Sequence, residues 1–244
     1  EPNSLSKASR AIEKKGFKEV NINCGCPSPR VQSGKFGIIL LTKPKIVRSC
    51  IAEIKKKTNL RISIKTRIGI EKHDNNLLDI FLNTLFEEGV DKFIIHARKA
   101  ILKKISAKKN LNIPELDYQT VIEIKKKYKD KEIIINGGFN KTKYSNSFTK
   151  KIDGIMIGRA AYKNPWIFTS CEKIKFERKL EYVNDYLKYI NNYFLKTGFT
   201  NNPILHLQNI FNGHEGSKKW KQYINHTIKT KNISCLFKFL KYTN

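Results

Sequence analysis

Five β-rich runs alternate with helical segments over the first two thirds of this chain, and this alternation constrains its fold more than any other feature. The runs are residues 18–23, 60–66, 91–96, 132–136 and 154–158. Among the helical segments we expect one that Ser4 caps and that ends at Gly16, and a short one over residues 141–148. Strands that alternate with helices form parallel sheets, because each helix carries the chain back to the edge where the strand began. Such a sheet is either doubly wound or part of a (β/α)8 barrel.

Polar residues or glycines end every one of these runs. In chain order they are Asn23 with Cys26, Lys65 with Arg67, His96 with Arg98, Asn136-Gly137-Gly138, and Gly158-Arg159. In a barrel these ends converge on one mouth, where active sites of that architecture lie. No G-x-G-x-x-G sequence follows the first run, as a dinucleotide-binding sheet would require. We therefore expect an α/β fold of the TIM barrel type.

Helices alone follow Asn164-Pro165. Apolar and aromatic residues recur there at helical spacing and would form a stripe along one helix: Tyr182, Tyr186, Tyr189, Ile190 and Tyr193. We expect this stripe to pack in the core of a separate helical domain rather than to stack on bases. The sequence thus predicts a barrel portion over residues 1–170 and a small all-helical domain over residues 171–244.

The chain is strongly basic, with 48 Lys and Arg residues against 21 Asp and Glu residues and a formal net charge of +27. Such a charge favours a polyanionic partner. Only eight of the 48 are Arg, which reads phosphates and bases better than Lys does. The charge alone is therefore explained equally well by a polyanionic partner and by a general compositional bias toward Lys.

Neither a membrane span nor a signal segment is evident, because the longest apolar run is far too short to cross a bilayer. The five cysteines are an odd number and lie far apart in a chain that needs no disulfides for stability. We expect a soluble protein of a reducing compartment, cytoplasmic or organellar and not secreted. The chain does not begin with Met, so we also expect sequence upstream of Glu1.

Cys24 and Cys26 form a C-x-C pair in a Gly- and Pro-rich loop. The two thiols are too close for an unstrained disulfide, and no second Cys or His pair stands nearby to complete a zinc site. We expect no metal. The residues alone leave open whether one thiol is reactive or both are inert packing.

The glycines after the fourth and fifth runs predict a phosphate-bearing cofactor. Asn136-Gly137-Gly138 and Gly158 allow backbone N–H groups to approach a phosphate, and Arg159 adds positive charge. Barrels commonly hold phosphate at their last strand ends.

Six segments, taken together, resemble the tRNA-dihydrouridine synthases in order and spacing, and most of all their A-type, tRNA-dihydrouridine(20/20a) subgroup. They are residues 23–37, 64–69, 95–100, 110–116, 135–138 and 154–162. Residues 206–220 are similar to the family's helical domain. The resemblance implies a barrel that binds FMN at its strand ends, with a helical domain that helps to hold tRNA.

The resemblance also implies roles for single residues. Reduced by NADPH, the flavin passes a hydride to C6 of a D-loop uridine, while Cys26 gives a proton to C5. Cys24 falls where relatives carry an apolar residue. The implied binding residues are Lys65 and His96 for the flavin, Asn23 for the uracil or the flavin, and Asn136, Gly137, Gly138, Gly158 and Arg159 for the phosphate. We further expect Arg30, Arg67 and Arg98 to bind the tRNA substrate, and the complete protein to be a monomer.

Several features depart from the family. Leu111 stands where relatives carry an Arg, and Leu205 precedes His206 where an Arg is usual. Relatives also have three strands upstream, so the runs represent about five of eight strands of an N-terminally truncated barrel. Two alternatives stay open: a non-catalytic RNA-binding fragment without flavin, and a small-molecule flavin reductase similar to dihydroorotate dehydrogenase.

Overall fold

The computed structural model describes residues 1–72, 76–102, 106, 109–141, 146–169 and 174–242. The chain divides into two compact units. The first comprises Glu1–Phe139 and Lys143–Met156, and the second comprises Asn140–Thr142 and Ile157–Asn244. The predicted boundary between residues 170 and 171 lies outside the described residues, as does Cys171.

A parallel sheet of five strands forms the centre of the first unit. The strands are β1 (Glu19–Asn23), β2 (Arg61–Arg67), β3 (Lys92–His96), β4 (Glu132–Asn136) and β5 (Gly154–Met156). They pair in the sequential order β1-β2-β3-β4-β5. A doubly wound sheet reverses its strand order at a switch point, and this sheet does not. The predicted parallel α/β sheet is therefore confirmed, and its order is that of consecutive barrel strands.

Six α-helices accompany these strands in the described part of the first unit. They are α1 (Pro2–Lys14), α2 (Pro29–Ser33), α3 (Pro44–Lys57), α4 (Leu77–Glu87), α5 (Tyr118–Lys127) and α6 (Asn146–Thr149). The Asp117 side chain caps α5 by accepting a hydrogen bond from the Thr120 N–H. The expectation that Ser4 caps α1 was wrong: the helix begins at Pro2, a residue that suits the first helical position because it has no N–H. The short helix predicted over residues 141–148 is seen as α6, and residues 142–145 lie outside the described part of the chain.

The two faces of the sheet differ in polarity, because successive side chains of a strand point to opposite faces. One face is apolar and at most 5% exposed at Ile62, Ile64, Phe93, Ile95, Ile133 and Ile135. Buried side chains of α3, α4 and α5 complete this core. By strand register, the other face carries Glu19, Asn21, Asn23, Arg61, Ser63, Lys65, Arg67, Lys92, Ile94, His96, Glu132, Ile134 and Asn136. The sheet thus offers one polar face.

Charged side chains pair with one another at the amino end of the polar face. Lys92 lies 3.1 Å from a Glu19 carboxylate oxygen and 3.8 Å from Glu132, which also pairs with Arg61. The Ser63 hydroxyl donates to Glu19 at 2.6 Å. Burial alone would raise the pKa of Glu19, but the Ser63 and Lys92 hydrogen bonds outweigh it and hold that pKa below its usual range. These groups satisfy each other, which leaves the carboxyl end of the face for chemistry.

The second unit is helical. It contains α7 (Arg159–Lys163), α8 (Phe176–Thr197), α9 (Asn201–Leu205), α10 (Ser217–Thr230) and α11 (Ser234–Tyr242). Trp220 lies fully buried at its core and donates its indole N–H to the Leu207 carbonyl at 2.8 Å. None of the helices described in either unit is long and apolar enough to cross a membrane.

The predicted packing of the tyrosine stripe in this core was wrong for three of its four tyrosines. Tyr182, Tyr189 and Tyr193 are 48%, 66% and 40% exposed. The neighbouring face of α8 fills the core instead, through Leu180, Val183, Leu187 and Ile190. The tyrosines therefore form a row on the surface of the second unit.

Candidate functional site

The loop after β1 holds the Cys26 thiol at the carboxyl end of the sheet. The side-chain oxygen of Asn23 accepts hydrogen bonds from the N–H groups of Gly25, at 3.0 Å, and Cys26, at 3.1 Å. The Cys26 carbonyl accepts a further hydrogen bond from the Ile38 N–H at 3.0 Å, next to Gly37 with its positive φ of 58°. The loop is thus fixed at both sides of the thiol.

The two thiols of the C-x-C pair lie in different environments. Cys24 is fully buried, and this burial, with a smaller contribution from Cys50, raises its pKa to about 12. Cys26 is partly exposed, and its Sγ lies 3.6 Å from the Ser28 hydroxyl. The structure therefore makes Cys26 the accessible thiol of the pair and Cys24 an inert one.

Lys65 lies at the end of β2, between the Cys26 loop and β4. Its ammonium donates to the Asn136 side-chain oxygen at 3.1 Å, and the Asn136 amide donates to the Met156 carbonyl at 2.9 Å. Burial, helped by the charge of Arg67, lowers the pKa of Lys65 to about 8, while the electrostatic effect of Cys26 acts in the opposite direction. Lys65 is thus a cation whose proton is held weakly and whose charge interacts with the accessible thiol.

His96 ends β3 and packs against the Gly-Gly turn that follows β4. A Cβ atom on Gly137 would lie 2.9 Å from the His96 ring and 2.8 Å from the Leu116 side chain, and φ at Gly137 is +127°. Tyr118 fixes the same turn by donating its hydroxyl to the Gly137 carbonyl at 2.7 Å. Only glycine permits this close approach of backbone and imidazole.

Arg67 is buried beneath the site rather than exposed in it. Arg67 is only 2% exposed. Its guanidinium donates to three backbone carbonyls: Gly25 at 3.1 Å, Lys99 at 3.1 Å and Asn110 at 3.2 Å. Burial lowers the pKa of Arg67 to about 10, against the electrostatic effect of Cys26. Arg67 thereby ties together the loops after β1 and β3. Its predicted contact with substrate stays a prediction.

Two further residues that were predicted to bind, Arg30 and Arg98, belong to the first unit. Arg98 donates to the carbonyls of Asn112 and Pro114, and Arg30 is exposed on α2. Gly158 and Arg159 belong to the second unit, at the start of α7, and both are exposed. The structure brings together Asn23, Cys26, Lys65, His96, Asn136, Gly137 and Gly138 at the carboxyl end of the sheet, and their binding roles stay predictions.

Comparison with known proteins is decisive for the family. The dihydrouridine synthase family model matches residues 1–241. The tRNA-dihydrouridine(20/20a) synthase of Shewanella oneidensis is 36% identical over 230 residues, which cover 91% of this chain and 69% of the relative. The enzymes of the same name from Vibrio parahaemolyticus and Synechocystis are both 33% identical, over 91% of this chain and 71% and 69% of their own lengths.

The chain belongs to the dihydrouridine synthase family. The resemblance inferred from six short segments is thereby confirmed over the whole chain. Among the described residues of this dihydrouridine synthase, no three His, Cys, Asp or Glu side chains are grouped so that they could hold a metal ion.

Three residues that support the site of this synthase were not predicted to do so, although Asn110 begins one of the six segments that resemble the family. Ser28 lies beside the thiol and caps α2, Tyr118 anchors the Gly-Gly turn, and Asn110 is fully buried with two hydrogen bonds to the Ile101 backbone. Ser28 before Pro29 is a helix-start signal that could have been recognised. The other two carry no local signal, since their partners are distant in sequence.

Replacing Arg67 by Lys is expected to lower the free energy of unfolding of this synthase by about 3 kcal/mol. An ammonium cannot reach all three carbonyls, and buried acceptors that lose a charged donor cost about 1.5–3 kcal/mol each. The matched control is Arg61→Lys on the same strand, where the guanidinium is half exposed and pairs with Glu132. We expect less than about 1 kcal/mol there. Urea denaturation measures both, and equal losses would show that Arg67 does not tie the loops together.

Proposed function

We propose that this chain reduces uridine to 5,6-dihydrouridine in the D-loop of tRNA, with FMN as cofactor and NADPH as reductant. The names of its relatives identify tRNA and dihydrouridine. One observation carries the proposal. The Cys26 loop and the hydrogen-bonded pair of Lys65 and Asn136 lie at the same edge of the sheet. A proton donor, a cation and an amide are thereby available to one substrate ring.

We also propose that the five strands are consecutive strands of a (β/α)8 barrel, and that the second unit is a helical tRNA-binding domain. The sequential strand order and the single polar face support the first part. The basic character of the second unit supports the other: residues 157–244 include 15 Lys and Arg residues against five Asp and Glu residues.

The residues at the carboxyl end of the sheet fit an anionic, phosphate-bearing flavin. Gly137 and Gly138 have positive φ angles of +127° and +71°, and a turn of this kind can direct successive backbone N–H groups toward a phosphate. Lys65 and His96 would hold the ring system, since a cation favours the reduced, anionic flavin. When bound, FMN that has been reduced by NADPH supplies the hydride for C6 of the uracil.

Cys26 protonates C5 of the uracil in this proposal. It is partly exposed, whereas the raised pKa of Cys24 accompanies complete burial. The thiolate that remains lies within electrostatic reach of Lys65 and Arg67. Two cations beside a developing anion lower the barrier to its formation. Asn23 keeps the thiol in place through the N–H groups of Gly25 and Cys26.

The test is incubation of the chain with FMN, NADPH and an unmodified tRNA transcript, followed by nucleoside analysis. We expect a yellow protein with a flavin absorption band, and dihydrouridine in the digested tRNA. A colourless chain that binds tRNA but forms no dihydrouridine would replace the proposal with RNA binding alone. Reduction of a small dihydroorotate-like substrate without any tRNA product would contradict it in favour of a small-molecule reductase.

Turnover is expected to fall as the pH rises above about 8. The pKa of Lys65 is lowered from 10.5 to about 8, so its ammonium is lost in that range. The rate should then drop about tenfold per pH unit. The free energy of unfolding should instead rise with pH between the folded pKa of about 8 and the ordinary value of 10.5. In that range the unfolded chain binds more protons than the folded one. Lys65→Arg should move the fall in kcat/KM to higher pH, and an unchanged profile would exclude Lys65 as its origin.

A further inference from the structure

We propose that an aromatic cleft in the second unit binds an unpaired nucleobase of the RNA substrate by stacking. The proposal takes the RNA from the proposed function but needs neither the flavin nor the thiol. The cleft has a volume of about 220 Å³. Its walls include the rings of Trp166, Tyr182, Tyr186 and His206, together with Leu207 and Ile210.

The size and lining of the cleft suit a single planar ring. Sites for drug-sized ligands occupy roughly 300–1,000 Å³, so this cleft admits less than such a molecule. The indole N–H of Trp166 donates to the Ile210 carbonyl at 2.6 Å, and the Tyr186 hydroxyl donates to the Pro203 carbonyl at 3.2 Å. These internal hydrogen bonds hold both rings in place and occupy their polar atoms. What remains for a ligand is aromatic surface.

Tyr182 provides the open side of the cleft. It is 48% exposed, although Val183, the next residue of α8, is buried in the core. Its ring centroid lies 6.3 Å from that of Trp166. Two large aromatic rings that border one cleft and stay partly open to water are a stacking platform, because every nucleobase presents a π-face of matching size.

Cations border the same rings. The Arg178 guanidinium lies 5.1 Å from the Tyr182 ring centroid, and the Lys179 ammonium lies 5.5 Å from that of Trp166. Lys179 also lies 2.9 Å from the His214 Nε2, whereas Arg178 pairs with Glu181 at 2.5 Å. Aromatic rings flanked by basic side chains suit a base and its phosphate, and the excess of basic residues in this unit suits a polyanion.

The chemistry selects an unpaired base rather than a duplex. Bases inside a helix are covered on both faces by their neighbours, so that only loops, bulges and splayed nucleotides can offer a ring to a cleft. The partner is thus a single-stranded or looped segment of RNA.

The test is binding of an oligouridylate of about eight nucleotides to the whole chain, followed through tryptophan fluorescence. The chain has two tryptophans, of which Trp220 is fully buried and Trp166 lines the cleft. We expect the oligomer to quench this fluorescence and an abasic oligomer of the same length to leave it unchanged. The abasic chain carries the same phosphates, so it isolates the contribution of the bases.

Tyr182→Leu should weaken oligouridylate binding about tenfold, since one base–aromatic stack is worth roughly 1–3 kcal/mol. Tyr182→Phe keeps the ring and should bind within about twofold of the unmodified chain. The matched control is Tyr193→Leu, on the same helix, at 40% exposure and outside the cleft. It too should bind within about twofold.

Equal binding by Tyr182→Leu and the unmodified chain would overturn the proposal, and so would equal quenching by the abasic oligomer. Dihydrouridine formation, measured on the same proteins, separates this failure from that of the proposed function. Formation of dihydrouridine without base-dependent quenching would contradict the base-binding cleft and support the proposed function. The opposite result is base-dependent quenching that disappears in Tyr182→Leu, with no formation of dihydrouridine. It would support the base-binding cleft and contradict the proposed function.

Discussion

Cys26→Ala is expected to bind FMN and remain yellow but to form dihydrouridine at least about 100-fold more slowly than the unmodified chain. General acid catalysis contributes about 10²- to 10⁴-fold to enzymatic rates, and this substitution removes the only acidic proton of the side chain. The fold should survive, because the thiol is partly exposed and the loop is held through backbone atoms and Asn23. Single-turnover reduction of tRNA, with flavin absorbance recorded alongside, measures both properties.

Cys24→Ala is the matched control for this variant, two residues away in the same loop. Cys24 is fully buried and its pKa is raised to about 12, so it neither reaches substrate nor yields a proton near neutral pH. We expect some loss of stability from the small cavity but an unchanged rate per folded molecule. A normal rate in Cys26→Ala, or a collapse of rate in Cys24→Ala with the fold intact, would show that the proton comes from elsewhere.

Gly137→Ala is expected to lower the free energy of unfolding by about 3 kcal/mol and to abolish flavin binding. The φ of +127° is one that L side chains rarely adopt, and the added Cβ would meet both Leu116 and His96 below 3.0 Å. Backbone strain and overpacking each cost about 1–3 kcal/mol. The displaced ring and turn are the groups proposed to contact the flavin. Thermal unfolding and flavin content of the purified protein measure the two effects.

Gly154→Ala supplies the control for the same chemical change in the same sheet. At that position the nearest atom to an added Cβ is 3.5 Å away, in the Ile134 side chain, which is ordinary contact. We expect a change of less than about 1 kcal/mol and normal flavin content. If both variants lose stability equally, the Gly137 turn is not the constrained element inferred from its geometry.

All five strands could be predicted from the sequence because strand and helix periodicities are local properties of the chain. The ends of β1 to β4 coincide with the predicted polar residues, from Asn23 to Asn136. The first helix was misplaced because Ser4 is a good cap in isolation, while Pro2 two residues earlier starts a helix equally well. Propensity alone does not choose between two adjacent start signals.

Two side-chain environments depended on packing and were beyond local patterns. Arg67 follows the same strand-end rule as Lys65, yet its guanidinium is buried among carbonyls of loops that lie far apart in sequence. On α8 the tyrosines and the aliphatic residues both recur at helical spacing. Either face could have met the core, and the structure places Val183 and Leu187 there and Tyr182 outside.

The sequence by itself determined the parallel α/β order, the polar strand ends at which the site is proposed, and the family, because these depend on residue type and spacing along the chain. Tertiary structure alone decided that Cys26 is accessible while Cys24 is buried, and that the tyrosine row faces outward. The physical reason is that burial and electrostatic environment are set by neighbours from distant segments. Residue type and spacing do not tell how exposed each of two thiols separated by one residue is, and their exposure differs only once β2 and the loop after β1 have packed together.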